Sequence, residues 1–199
     1  MKRVSLTNKD ASPNFIGGWS IEPKSTCDDL IKFFELNPEK HTHGVTETGV
    51  KSPHKQTTDI NILPRDLKGP EYKIFHAYLG QLFSCYEDYV KIWPFLNEFN
   101  KLEMSSFNLQ RYLPGDHFKT VHTERSSVTN IHRVFAWMTY LNDVENGGET
   151  YFPHYDIRVR PQRGLTLIWP AEWTHAHAGE ELKRGKKYII TGWLSFLTK

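Results

Sequence analysis

GLTLIWPAEWTHAHAGEELKRGKKYIITGWLSF, residues 164–196, carries the pattern on which the fold turns. Three short runs, Gly164–Trp169, Thr174–Ala178 and Tyr188–Phe196, are apolar or alternate over a strand's length. Proline, glycine and charged turn residues part them. The same texture extends back to about residue 104, through SSFNLQRYL, FKTVHTE, RVFAWMTYL, ETYF and IRV, with PGD, NDVENGG and RPQRG between. Many short strands with regular turns predict a β-sandwich or barrel.

Upstream the period changes from two to about 3.6. Ser25–Leu36 reads as a helix, with Ser25 or Thr26 as its cap, Asp28 and Asp29 in its first turn, and Leu30, Ile31 and Phe34 as its apolar stripe. Pro70–Trp93 reads as the longest helix, burying Phe75, Tyr78, Leu79, Leu82, Phe83, Tyr86, Tyr89, Val90 and Trp93, and Pro94 ends it. Phe15–Ile21 and Asp59–Leu63 suit short strands, and residues 41–58 a polar loop or loose hairpin. The fold class is therefore mainly β with N-terminal helices, α+β. One domain spans 1–199, with a helical N-terminal region at 1–102 and the β core at 103–199.

Composition excludes several function classes. The 199 residues, 38% hydrophobic and 14% aromatic, suffice for a packed core. A net charge of +2 gives no broad basic face, so nucleic acid is a poor partner. The clusters Arg158, Arg160, Arg163 and Lys183, Arg184, Lys186, Lys187 suit a solvated surface. Cys27 and Cys85 are too few for a disulfide framework, and no C-x-x-C occurs. The first residues lack an apolar leader run and no stretch is long enough to span a membrane, which predicts a cytoplasmic protein.

Chemistry concentrates in two places. VHTE sets His122 and Glu124 two residues apart, on one face of a strand. WTHAHAG offers a third ligand, His175 or His177, and alternation alone does not choose between them. Two imidazoles and one carboxylate suit non-heme Fe(II), with open positions for a bidentate co-substrate and dioxygen, and they also suit catalytic zinc. Lys187 enters an apolar alternating strand, where a buried ammonium needs an anionic partner. Lys186 would face water. His117, His132 and His154 read as surface or loop residues, and His41, His43 and His54 as solvated residues of the polar loop.

Taken in order, YLPGDHFKTVHTE, WMTYLNDVENGGETYF, GLTLIWP and HAGEELKRGKKYIITGW make residues 107–196 resemble the iron(II)- and 2-oxoglutarate-dependent dioxygenases, in the prolyl-4-hydroxylase-like branch of small microbial or viral type. The resemblance implies a double-stranded β-helix, a jelly-roll or cupin-like core buttressed by helices. It implies His122, Glu124 and His177 as iron ligands, because His177 has the glycine two residues on and the basic residue ten on, and His175 has neither. It implies Lys187 and Tyr140 as the grip on the far carboxylate of 2-oxoglutarate, with Tyr112, Thr191 and Trp193 lining that pocket. The family usually carries H-x-D, and this chain carries H-x-E.

The implied reaction hydroxylates a C–H bond, with a prolyl residue of a peptide or protein as leading substrate, and releases succinate and CO2. The implied cofactors are Fe(2+), 2-oxoglutarate as co-substrate and O2, with ascorbate as an accessory. Small metabolites and nucleic acid are other substrates of such folds. A cupin-like module that binds metal or ligand without turnover is the rival class, and iron-dependent succinate release separates the two.

Overall fold

RVFAWMTY, Arg133–Tyr140, is buried on both sides along most of its length, and it organises the molecule. Phe135 and Trp137 enter one apolar cluster, and Ala136, Met138 and Tyr140 a second one. Period two therefore splits a continuous apolar run between two cores. The computed structural model describes residues 1–6, 13–45 and 54–197.

Two antiparallel sheets build the β body. Strands are numbered here in chain order. The larger sheet runs β1 (Lys2–Arg3), β2 (Gly17–Ser20), β12 (Leu165–Pro170), β8 (Arg133–Tyr140), β15 (Lys187–Phe196), β6 (Phe107–Tyr112), β4 (Thr58–Ile62) and β3 (Thr42–His43), with β5 (Leu102–Met104) beside the end of β15. The smaller sheet runs β11 (Ile157–Val159), β10 (Thr150–Phe152), β13 (His177–Gly179) and β7 (Phe118–His122). A two-stranded ribbon, β9 (Asn146–Gly147) with β14 (Leu182–Arg184), completes it. This is the jelly-roll architecture that the sequence predicts. The boundary near residue 102 is not a layer boundary, because β2 and β4 from the N-terminal region extend the larger sheet on both sides.

Two helices, α1 (Ser25–Leu36) and α2 (Lys73–Ile92), cover the outer face of the larger sheet. Leu30 and Phe34 of α1, and Phe75, Tyr78, Leu82 and Tyr89 of α2, share one cluster with Trp137, Phe107 and Ile190 of the sheet. The Tyr78 hydroxyl hydrogen-bonds Thr139 at 2.8 Å. The second cluster lies on the sheet's inner face, where Met138, Leu167, Trp169 and Ile189 meet Phe152 of the smaller sheet.

Three local expectations change. The cap residue of α1 is Lys24 with no side-chain cap, so neither Ser25 nor Thr26 plays that part. The long helix starts at Lys73, three residues later than expected, after a 3-10 turn at Pro70–Tyr72. Phe83 points outward, 40% exposed, and Cys85 occupies the buried stripe. Of the 41–58 loop, which the resemblance sets where relatives carry a substrate lid, residues 46–53 lie outside the described residues, while β3 and β4 flank them as a pair.

Candidate metal centre

β7 and β13 are neighbours in the smaller sheet, and their register sets His122 opposite His177. Glu124 follows two residues after the end of β7, so it reaches the site from the loop and not from the strand face that spacing suggests. The three ligand atoms lie within 4.8 Å of one another. Nε2 of His177 is 3.2 Å, and Nε2 of His122 3.9 Å, from Oε1 of Glu124.

The tautomers follow from the backbone. Nδ1 of His122 lies 2.8 Å from the Thr120 carbonyl, and Nδ1 of His177 lies 3.0 Å from the His175 carbonyl. A carbonyl only accepts, so each Nδ1 carries the proton and each Nε2 is left with its lone pair. Two lone pairs and a carboxylate oxygen then converge on one point. Such a set of electron-pair donors needs a cation among them, and its chemistry fits a divalent transition metal. Burial, and then His177, push the His122 imidazole down to about 4, so it is neutral and ready to ligate near pH 7. Burial pushes the Glu124 carboxyl up, but His177, His122 and the Trp193 N–H together pull it down to about 2.

His175 is excluded by geometry. It ends a 3-10 turn before β13, and its Nε2 lies 2.8 Å from the Asn14 carbonyl. Its contribution is the main-chain carbonyl that orients His177. The expected shared strand face of the two histidines does not form, because only His177 belongs to the strand.

A cavity of about 760 Å³ opens at the three ligands and extends along the inner face of the larger sheet. Lys187, Ile189, Thr191 and Trp193, alternate residues of β15, all line it. Lys187 is 2% exposed, its Nζ donates to the Gly148 carbonyl at 2.9 Å, and it sits 4.0 Å from the centre of the Tyr112 ring. No carboxylate forms an ion pair with it among the described residues. Burial pushes its ammonium down to about 7, against a weaker upward pull from Glu149. A carboxylate ligand would supply the missing charge. Gly148, at φ +74, lets the chain approach: a Cβ there would come 3.1 Å from Lys187 Cδ.

Tyr140 departs from expectation. It does not line the cavity; its hydroxyl donates to the Val159 carbonyl at 3.1 Å and meets Thr150 Oγ1 at 2.6 Å. The single proton goes to Val159, because the carbonyl cannot donate, and none remains for a carboxylate. The hydroxyl instead fixes Thr150, which does line the cavity. Tyr112 lines it too and donates to Gln110 at 3.1 Å.

The sequence reading missed the rest of that network. Gln110 donates to Asp59 at 2.8 Å, and Asp59 pairs with Lys55 at 2.9 Å, both ends of the pair buried. The register of β4 on β6 makes the connection by setting Asp59 beside Gln110. Two of the discounted histidines, His43 and His54, line the cavity mouth. His117 is buried, not a surface residue, because its main chain pairs with Gln56. His154 is exposed, and Arg158 of the basic clusters is matched by Asp156 and Glu180.

Residues 107–195 match the model of the 2OG-Fe(II) oxygenase superfamily. Proteins named prolyl 4-hydroxylases are similar over part of the chain. The chain is 27% identical over 115 residues to the protein named probable prolyl 4-hydroxylase 9 of Arabidopsis thaliana, covering 45% of this chain and 40% of that one. It thus spans less than half the length of the curated relatives it matches. The fold of a viral collagen prolyl hydroxylase from Paramecium bursaria Chlorella virus-1, solved with 2-oxoglutarate, matches with a TM-score of 0.66 at 16% identity, over 92% of this chain and 97% of that one. A prolyl hydroxylase from Trichoplax adhaerens, solved with a peptide of hypoxia inducible factor, matches with a TM-score of 0.69 at 14% identity, over 92% and 84%. The superfamily's name states its needs, iron and 2-oxoglutarate. Among the described residues no helix is long and apolar enough to cross a membrane.

Proposed function

We propose that the protein is an Fe(II)- and 2-oxoglutarate-dependent dioxygenase that hydroxylates a prolyl residue of a peptide or protein. One observation carries the reading: the converging His122, Glu124 and His177 donors share a cavity with a buried lysine that has no carboxylate partner among the described residues. His122, Glu124 and His177 hold the iron. When bound, iron with 2-oxoglutarate and O2 supplies the oxidant, one oxygen atom entering the substrate C–H bond and the other entering succinate as CO2 leaves.

The chain's own residues bind and orient. Lys187 receives the far carboxylate, with the Gly148 carbonyl and the Tyr112 ring holding its Nζ in place. Thr191, its hydroxyl bonded to the Trp137 carbonyl, and Thr150 narrow the pocket walls. Ile189 and Met138 add apolar lining that keeps water from the space between the lysine and the metal ligands. The peptide substrate is supported by the relatives' names and by the Trichoplax complex. Ascorbate fits as an accessory that keeps iron ferrous. The free, buried Cys27 and Cys85 favour a reducing setting such as the cytoplasm.

The test is a proline-containing peptide panel, with a metabolite panel beside it, incubated with Fe(II) and 2-oxoglutarate. A mass gain of one oxygen on a prolyl residue, with matching succinate, is the expected result. Succinate without peptide oxidation would move the substrate to the metabolite class. No iron-dependent succinate from any substrate would favour a binding module.

A further inference from the structure

The two carboxylate oxygens of Glu124 keep different company. Oε1 faces both imidazoles. Oε2 accepts a hydrogen bond from Trp193 Nε1 at 2.7 Å and lies 3.6 Å from Arg133 Nη1. Arg133 does more than add charge. Its guanidinium stacks 3.7 Å from the centre of the Trp193 ring, and its Nη1 donates to the Glu124 main-chain carbonyl at 3.1 Å. One cation thus buttresses the indole and fixes the backbone of the ligand.

This arrangement is built by a strand irregularity. Leu194 pairs with Phe135, but the next residue of β15, Ser195, pairs with Arg133, so Val134 is an extra residue on β8. In a regular strand Arg133 and Phe135 would share a face, and Phe135 belongs to the outer core. The bulge breaks that alternation. Val134 packs with Phe135 against the outer core, and Arg133 turns to the cavity beside Trp193.

Glutamate has one more rotatable bond than the aspartate usual in this ligand pattern. It can therefore swing, or offer a metal both oxygens, more readily. We infer that Trp193 and Arg133 are positioning residues that hold Oε2 away from the metal, so that Glu124 presents Oε1 alone and a position stays open for co-substrate. The inference rests on the metal-centre reading above. It accounts for how a longer carboxylate serves here: the clamp removes the freedom that the extra methylene adds.

The experiment uses Co(II) as the probe, titrated into the full chain and followed by visible absorption. Trp193→Phe removes the N–H donor and the second ring while keeping an aromatic face for Arg133. It is expected to weaken Co(II) binding by about 10- to 100-fold and to change the cobalt absorption envelope as the carboxylate alters its mode. Arg133→Gln is expected to move both readouts the same way by about tenfold or less. Glu124→Asp shortens the reach to Trp193, so adding Trp193→Phe to it is expected to cost less than about threefold more.

Wild-type affinity and spectrum in Trp193→Phe, or equal cost on the Glu and Asp backgrounds, overturns the clamp. His177→Ala separates the two levels. If it loses Co(II) while Trp193→Phe is unchanged, the clamp alone fails; if it binds Co(II) as wild type does, the metal centre fails with it. Far-UV circular dichroism screens folding, and Arg133→Gln carries the test if Trp193→Phe does not fold.

Discussion

The two ends of the cavity are built on opposite plans. At the metal end, the outward nitrogen of each ligating ring is fixed by a main-chain carbonyl two residues before it, Thr120 for His122 and His175 for His177. At the Lys187 end, a buried ammonium has one carbonyl and one aromatic ring, and no counter-charge among the described residues. The first end is a finished donor set waiting for a cation. The second is an unfinished one waiting for an anion. The difference teaches that local chain geometry suffices to orient each imidazole, whereas the surroundings of Lys187 are assembled from strands far apart in sequence.

The largest effect breaks the metal end outright. His177→Ala removes one of three converging donors and is expected to bring Fe(II) or Co(II) binding below detection by calorimetry. His175→Ala keeps the carbonyl that orients His177 and removes only a ring bonded to Asn14. Its metal affinity is expected to stay within about tenfold of wild type. The reverse ranking would exchange the two histidines.

The next variant breaks the other end. Lys187→Met is expected to weaken 2-oxoglutarate binding by about 2–5 kcal/mol, because the ligand's far carboxylate is then buried unpaired. The same change relieves the protein of a buried, charge-starved amine. The ligand-free variant is expected to melt no lower than wild type, by calorimetry. A loss of both stability and affinity would mean that Lys187 has a counter-charge within the fold.

pH sharpens the contrast without a mutation. Lys187 carries its charge below about 7 and loses it above. A bound carboxylate favours the charged form, so above that pH binding takes up a proton. Between pH 7 and 9 the 2-oxoglutarate Kd is expected to rise by about one log unit per pH unit, and calorimetry in buffers of different ionisation enthalpy should count about one proton taken up. Lys187→Met should abolish both effects. The metal end predicts the opposite profile: with His122 down at about 4, metal binding weakens toward acid and not toward base.

Particular residues show how far the sequence was legible. H-x-E, the glycine after His177 and Lys187 are short-range signals, and the strand alternation that carries Ile189, Thr191 and Trp193 to the cavity follows from period two. What spacing could not show depends on register and backbone irregularity. Asp59 meets Gln110 only because β4 pairs with β6. Arg133 reaches Glu124 only because Val134 is an extra residue in β8. Glu124 lies past the end of its strand, and His175 lies in a turn, so face arguments built on a regular strand fail at both. The helices were read to within three residues at each end, because a long apolar stripe averages over many positions. Their caps were not, since Lys24 begins α1 with no side-chain bond to announce it.

The smallest expected effect concerns Tyr140, which the family pattern assigns to the Lys187 end and the structure assigns to the wall behind it. Its hydroxyl proton is committed to the Val159 carbonyl, and its oxygen faces Thr150. Burial pushes the phenol up, so it stays a neutral donor at all working pH values. Tyr140→Phe should therefore cost about 0.5–1.5 kcal/mol of stability, read from urea melts, because the Val159 carbonyl loses a buried donor. The 2-oxoglutarate Kd should change by less than about threefold, since any effect must pass through the Thr150 hydroxyl. A large loss of affinity with unchanged stability would instead mean that the hydroxyl turns to the ligand on binding. The Lys187 end would then be completed by rearrangement rather than by the ligand's charge alone.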